Sequence, residues 1–282
     1  QGNVKNSIYG MYVSIDEADE RKKLEMMKSI QQFLKPKLSK YLHNIKCHLG
    51  AFLVKVPNPN SYTYPHQDWL FVDNNAPELF SATIWVSLED IDIQTGSLGF
   101  IKGSHNFLNN IVGSPSPEIT TATMGHEALL LSYLTFPPVK KGDALIFNNK
   151  TVHAAFPNTT QKQRIAVGIG VTPEPATLYH YHLNPKNSKK IYKLTVDEAF
   201  FYTYGNDSLR KCYYQKELPK HTQLVDELDY NPVLFSKDEI ENKIIENGNT
   251  KNNLPIENLF GNISLKDKLK FAFGYYLRKL KN

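Results

Sequence analysis

Apolar residues in this chain change their period at about residue 48. Before it, Leu24, Met27, Ile30 and Leu34 recur every three or four positions, which predicts a helix over 15–34 with that stripe buried. Ser14 and Glu17 have capping-box spacing at its start, and Pro36 breaks or kinks it, opening a second short helix with Leu38, Tyr41 and Leu42. From residue 48 the period drops to two. Short runs rich in β-branched and aromatic residues at 51–56, 62–68, 80–88, 96–101, 128–133, 144–147, 151–156 and 164–172 are separated by Gly, Pro and Asn turns, with no helices interposed. A polar segment with Pro115 and Pro117 interrupts the series and reads as a long surface loop that can serve as a lid. Eight short strands in this pattern predict an antiparallel sandwich or barrel. A double-stranded β-helix (jelly-roll, cupin-like) core is the natural eight-strand solution. The expected class is mainly β with flanking helices.

Beyond Pro173 the chain turns polar and aromatic by turns, at 179–182 and 200–204, and an exposed helix is expected within 237–253. Ser264 can cap a last helix whose stripe is Leu265, Leu269, Ala272, Phe273, Tyr276 and Leu280. The organisation expected is a helical brace over 1–47, a jelly-roll core over 48–173, and a C-terminal extension over 174–282 that belongs to the same domain.

Composition narrows the class without naming a function. With 41% hydrophobic and 22% charged residues the chain can bury an ordinary core, and no apolar run is long enough to cross a membrane as a helix. Cys47 and Cys212 lie far apart and match no zinc or redox spacing, so both are read as free thiols in a reducing, cytoplasmic setting. The net charge of +5 is a property of residues 262–282, where six basic residues face one acidic one. The balanced remainder argues against a nucleic-acid partner, and the basic last helix is expected to pack on the protein rather than on an anionic membrane. Sequons at Asn149, Asn158, Asn206 and Asn262 are read as unused.

Candidate chemistry gathers at Tyr64-Pro65-His66-Gln67-Asp68-Trp69. On a strand, residues two apart share a face, so His66 and Asp68 aim at one point, and His-x-Asp is two-thirds of the 2-His-1-carboxylate triad of non-haem Fe(II). His153 is the best third ligand because it sits on a predicted strand near the end of the eight. A hairpin bending at Asn158 and Thr159 would set Arg164 opposite His153 on the same face. Three open metal positions suit a bidentate 2-oxo acid and dioxygen, and a guanidinium can grip the acid's far carboxylate. His180-x-His182 has metal-like spacing but lacks the acidic residue that would follow in a cupin site, so it is set aside. Tyr62 and Tyr64 share the predicted ligand face and are candidate substrate-pocket walls, with Gln67 a further candidate at the strand end.

His66-x-Asp68, His153 and Arg164 together resemble the Fe(II)/2-oxoglutarate oxygenases, specifically the phytanoyl-CoA dioxygenase family. The run from Gly96 through Leu98 to Gly103-Ser104-His105 resembles that family's Gly-x-Leu-x-x-x-x-Gly-Ser-His hairpin, with Lys102 where proline is usual. The resemblance covers about 48–173. It implies Fe(II) on His66, Asp68 and His153, 2-oxoglutarate held by Arg164 with Thr83 and Trp85 lining its pocket, and O2 as co-reactant. The implied reaction is hydroxylation or another oxidation of an unactivated C–H bond, with succinate and CO2 as co-products. Relatives often carry a hydroxyl residue at the position of Ala155. Asp68 favours oxygenation over halogenation, since halogenating relatives have a small residue there. The substrate class stays open among a metabolite, a lipid or acyl species, and an amino-acid or peptide side chain. The competing reading is a non-catalytic jelly-roll binding protein, or an oxygenase-like protein without turnover.

Overall fold

The computed structural model describes residues 11–254 apart from 60, 77 and 117. The expected last helix and the Asn262 sequon lie outside the described residues. A short strand β1 (Tyr12–Val13) leads through a 3-10 turn (Ser14–Asp16) into helix α1 (Glu20–Leu38). Asp19, not Ser14, caps α1: its carboxylate accepts from the Arg21 and Lys22 amides. The Ser14 hydroxyl instead accepts from the Phe52 amide at 3.0 Å, pinning the turn to the sheet. Pro36 is accommodated inside the last turn of α1, so the helix runs two residues past the expected break.

Seven of the eight expected strands form: β2 (Ile45–Lys55), β3 (Thr63–His66), β4 (Ala82–Ser87), β5 (Leu98–Phe100), β6 (Ala144–Asn148), β7 (His153–Ala155) and β8 (Arg164–Pro173). Two short helices, α2 (Ser104–Phe107) and α3 (Glu127–Ser132), lie between β5 and β6. The expected strand at 128–133 is therefore α3. Its Ala-Leu-Leu-Leu run lacks β-branched residues and alternation, and Leu129, Leu130 and Leu131 are all buried together, which a strand facing two ways would not require. The missing strand position is marked only by a bridge between Phe100 and Thr135.

One sheet has the order β1-β2-β8-β4-β6, and a second has β3-β7-β5, all pairs antiparallel. Successive strands alternate between the two sheets, and β2, the first of the core strands, pairs with β8, the last. This is jelly-roll topology. Alternation along β8 and β4 then sets the layers. Val167, Ile169 and Val171, with Ala82 and Ile84, pack under Ile30, Leu34 and Leu38 of α1. Trp85, Ala166, Leu98 and Ala155 meet between the sheets.

The chain continues into β9 (Tyr179–Leu183), β10 (Lys190–Val196), α4 (Glu198–Thr203), α5 (Asn206–Gln215), β11 (Thr222–Asp229) and α6 (Lys237–Glu246). The last three strands form a separate sheet in the order β11-β10-β9. Ser236 and Glu239 form a full capping box on α6, which is the exposed helix expected within 237–253. The segment around Pro115 is held to the third sheet. Ser114 bonds through its backbone to Tyr181 and Leu183, so this stretch is fastened to β9. Among the described residues, no helix is long and apolar enough to cross a membrane.

Candidate metal centre

β3 and β7 are direct neighbours with His66 opposite His153, so the ladder itself brings the two imidazoles face to face, ring centres 4.2 Å apart. Asp68 lies two residues past the end of β3, where its amide donates to the Asn149 carbonyl at 2.8 Å. Asp68 Oδ1 is 3.8 Å from His66 Nε2 and 3.7 Å from His153 Nε2. One ligand atom from each of the three lies within 4.8 Å of the others, and among the described residues no other His, Cys, Asp or Glu cluster meets that condition.

The remaining atoms are committed in a way that suits metal binding. Each imidazole bonds through Nδ1 to a carbonyl two residues back, Tyr64 at 2.7 Å for His66 and Thr151 at 3.0 Å for His153. A carbonyl only accepts, so Nδ1 carries the proton in both rings and the Nε2 lone pairs point to the shared centre. Burial, with His153 close by, pushes the His66 imidazolium well below the usual histidine range, so the ring is neutral near pH 7. Asp68 Oδ2 accepts from the Thr83 hydroxyl at 2.8 Å, and Thr83 in turn accepts from the Asn149 side-chain amide at 3.2 Å. That chain fixes the carboxylate and leaves Oδ1 for an ion. Two nitrogens and one carboxylate oxygen on one side match the donor set of non-haem Fe(II).

Arg164 does not reach the site through a hairpin with His153. The turn after β7 crosses from one sheet to the other, held by Asn158, whose side chain donates to the Lys55 and Lys162 carbonyls. β8 consequently pairs with β2 and β4, and Arg164 stands opposite Lys55. The guanidinium still enters the cavity of His153, because the two sheets face each other across it. It is 1% exposed and lies over the Trp85 ring at 5.3 Å. Its Nε and Nη2 have no hydrogen-bond partner. These two donors form one edge of the guanidinium, the edge that can grip a carboxylate with parallel bonds. Burial lowers the Arg164 pKa to about 10, with Glu89 opposing that shift, so the group remains a cation near pH 7.

The cavity, about 180 Å³, is lined by all three donors, Thr83, Trp85 and Arg164. Thr83 reaches Asp68 directly, a role that its position beside Trp85 did not suggest. Tyr62 and Tyr64 do not line it. The register between β3 and β7 shifts between Thr63 and His66, and this bulge exchanges the faces of the residues before it. Thr63 therefore turns to the cavity, while Tyr62 and Tyr64 pack with the cluster around Ile101, Leu108 and Leu130. Gln67 lines the cavity, but its amide nitrogen is committed to the Leu108 and Lys150 carbonyls.

The other end of the cavity comes from segments without any motif. Trp69 and Phe71 follow the His-x-Asp, Phe200 and Phe201 come from α4, and Met11 and Val13 from the N-terminal strap. Among the described lining residues, Asp68 and Arg164 are the only Asp, Glu, Lys or Arg. His180 and His182 are buried outside the metal group, both bonded to the Ser114 hydroxyl at 2.6 and 2.9 Å. Asn149, Asn158 and Asn206 are buried, which leaves no room for a glycan at three of the four sequons.

Comparison with known proteins follows the same residues. A family model described as phytanoyl-CoA dioxygenase matches residues 9–166. Phytanoyl-CoA dioxygenase domain-containing protein 1 of Danio rerio is 33% identical over 119 residues, covering 41% of this chain and 40% of that protein. Its Bos taurus counterpart is 26% identical over 134 residues, covering 46% of each. The chain thus spans less than half the length of these curated relatives. Among solved structures, the non-haem α-ketoglutarate-dependent epimerase SnoN from nogalamycin biosynthesis is 20% identical with a TM-score of 0.43, covering 64% of this chain and 68% of its own. EvdO2 from Micromonospora carbonacea var. aurantiaca, complexed with 2-oxoglutarate, is 20% identical with a TM-score of 0.41, covering 55% and 64%.

Proposed function

The chain belongs to the phytanoyl-CoA dioxygenase family, and on that premise we propose that it is an Fe(II)/2-oxoglutarate-dependent oxygenase. It oxidises an unactivated C–H bond, by hydroxylation in the first instance, of an uncharged and largely apolar small molecule, with succinate and CO2 as co-products. The observation that carries the reading is the convergence, in one cavity, of three donor atoms aimed at one point and a buried guanidinium edge without a hydrogen-bond partner among the described residues.

Each residue has a role that its geometry supports. His66 and His153 hold the metal through Nε2, and Asp68 holds it through Oδ1 while Thr83 keeps that carboxylate from rotating. Arg164 grips the far carboxylate of 2-oxoglutarate, and Trp85 beneath it screens the pair from water. Bound iron with 2-oxoglutarate supplies the activation of dioxygen, chemistry that no side chain here provides. Trp69, Phe71, Phe200 and Phe201 offer the substrate an aromatic wall, and a charged substrate would find no opposite charge there among the described residues.

Purified protein given Fe(II), 2-oxoglutarate and air is expected to release succinate, faster with a neutral apolar substrate than with a carboxylated analogue. Asp68→Ala should abolish that release. Iron-loaded protein that releases none, with or without candidate substrates, would instead favour a binding protein without turnover.

A further inference from the structure

Strand β8 presents every second residue to the cavity side. Val167, Ile169 and Val171 pack under α1, so Arg164, Ala166, Gly168 and Gly170 turn the other way, between the sheets. β8 is the middle strand of its sheet, where a glycine weakens the strand and leaves nothing to pack. The two glycines differ in what stands over them. At Gly170 a Cβ would come within 2.6 Å of His48 Nε2 and 3.0 Å of the His48 carbonyl, so the imidazole already fills that place. At Gly168, chain neighbours apart, a Cβ would meet one atom within 4 Å among the described residues, Leu53 Cδ1 at 3.1 Å. The backbone at Gly168 is regular strand paired on both sides, and its φ is not positive. Packing therefore accounts for Gly170 and leaves Gly168 without a reason in the fold.

The hollow over Gly168 has a definite place in the cavity. Its direct partners are Ala51 on β2 and Trp85 on β4, and all three line the cavity. The Arg164 guanidinium lies over the Trp85 ring, which brings the cation back along β8 towards this row. Two residues further along β8, Gly170 is the partner of Thr83, whose hydroxyl holds Asp68 Oδ2. The hollow thus opens between the guanidinium and the carboxylate of the metal donors. A ligand that engages both has to cross the sheet face here, and a glycine inside a strand often marks such a close approach.

Building on the cosubstrate reading above, we propose that Gly168 is the floor of the cosubstrate site, its missing side chain leaving room for the methylene link of 2-oxoglutarate. Gly168 is then a specificity-determining residue that selects by space and not by a bond. The link makes the contacts that a side chain would otherwise make in this gap.

The test is an anaerobic titration of the Fe(II)-loaded full chain, followed by the visible metal-to-ligand charge-transfer band, with iron affinity measured separately. Gly168→Ala is expected to weaken 2-oxoglutarate binding about tenfold, the effect of one methyl group placed in a fitted site, while iron affinity stays at the wild-type value. Pyruvate has the same 2-oxo-carboxylate end and lacks the link and the far carboxylate, so its affinity should not change. The metal-free variant should unfold at or above the wild-type temperature, because alanine suits a strand interior better than glycine. Leu53→Val removes the one atom the new methyl would press on, so Gly168→Ala/Leu53→Val should bind 2-oxoglutarate about tenfold more weakly than Leu53→Val alone. Unchanged 2-oxoglutarate affinity in Gly168→Ala would overturn the assignment of the hollow. So would an equal loss for pyruvate, a lower unfolding temperature, or a double variant that binds like Leu53→Val. A wild-type protein that holds iron but gives no band with 2-oxoglutarate would overturn the cosubstrate reading itself.

Discussion

The two ends of the cavity are built in different ways. At the inner end every functional group sits on a core strand or within two residues of one: His66 on β3, His153 on β7, Arg164 on β8, Thr83 and Trp85 on β4. Their positions follow from ladder register, and each is braced by a neighbour. At the outer end the wall is largely aromatic and comes from the residues after the His-x-Asp and from α4, which packs on the sheets, with Met11 and Val13 of the N-terminal strap at the edge strand beside β2. The difference separates chemistry from selectivity. Strands hold donor atoms to fractions of an ångström, while peripheral elements can vary in shape without disturbing them.

If that separation holds, variants should divide cleanly between the ends. The largest effect is expected from His153→Ala, which removes a first ligand and should lower iron affinity by more than about 100-fold; equilibrium dialysis against Fe(II) reads this directly. Arg164→Ala should lower 2-oxoglutarate affinity about 100-fold while iron stays bound, since it removes two charge-assisted bonds. Iron affinity falling in step would mean that Arg164 supports the whole site rather than the cosubstrate. At the outer end, Phe201→Leu should change substrate affinity by about tenfold or less and leave iron and 2-oxoglutarate affinity alone. Coupled loss of all three would break the comparison.

Acid gives a smaller and more gradual test. His48 and His180 back the aromatic wall, His48 against Phe71 and Phe201, His180 against Trp69 and Phe200. Burial lowers the His48 pKa to about 3, holds His180 well below the usual range, and lowers His182 to about 4. The unfolded chain takes up these protons near pH 6.5 and the folded one does not, so stability should fall as pH drops from about 7. Each histidine contributes at most about 1.4 kcal/mol per pH unit. Asp16 works the other way. Burial and Asp207 raise its pKa to about 6, so the folded state gains stability as pH falls through 6 towards the unfolded value. The clearest window is therefore pH 7 to 6, where urea unfolding should show a shallower slope in His48→Leu than in the wild type. Identical slopes would remove His48 from the account.

The candidate metal donors were legible in the sequence because their chemistry is local: His-x-Asp at a strand end and one histidine on a later strand suffice to suggest them. Jelly-roll topology was legible from period and turns. Geometry that depends on irregularity was not. One bulge in β3 reversed Tyr62, Thr63 and Tyr64, and alternation alone carries no sign of it. Arg164 was found for the wrong neighbour, since an eight-residue turn between β7 and β8 looks like a hairpin until Asn158 is seen to tie it to the other sheet. Phe200 and Phe201 carried only an apolar signal, and three-dimensional docking decides whether such residues face a cavity or a core.

The central claim is that one cavity holds both iron and 2-oxoglutarate, on residues contributed by both sheets. Anaerobic titration of the iron-loaded protein with 2-oxoglutarate tests it most directly. The expected result is a visible charge-transfer band saturating at one 2-oxoglutarate per iron, shifted to higher 2-oxoglutarate concentration by Arg164→Ala and absent in His153→Ala. Protein that binds one iron and shows no band at saturating 2-oxoglutarate would contradict it.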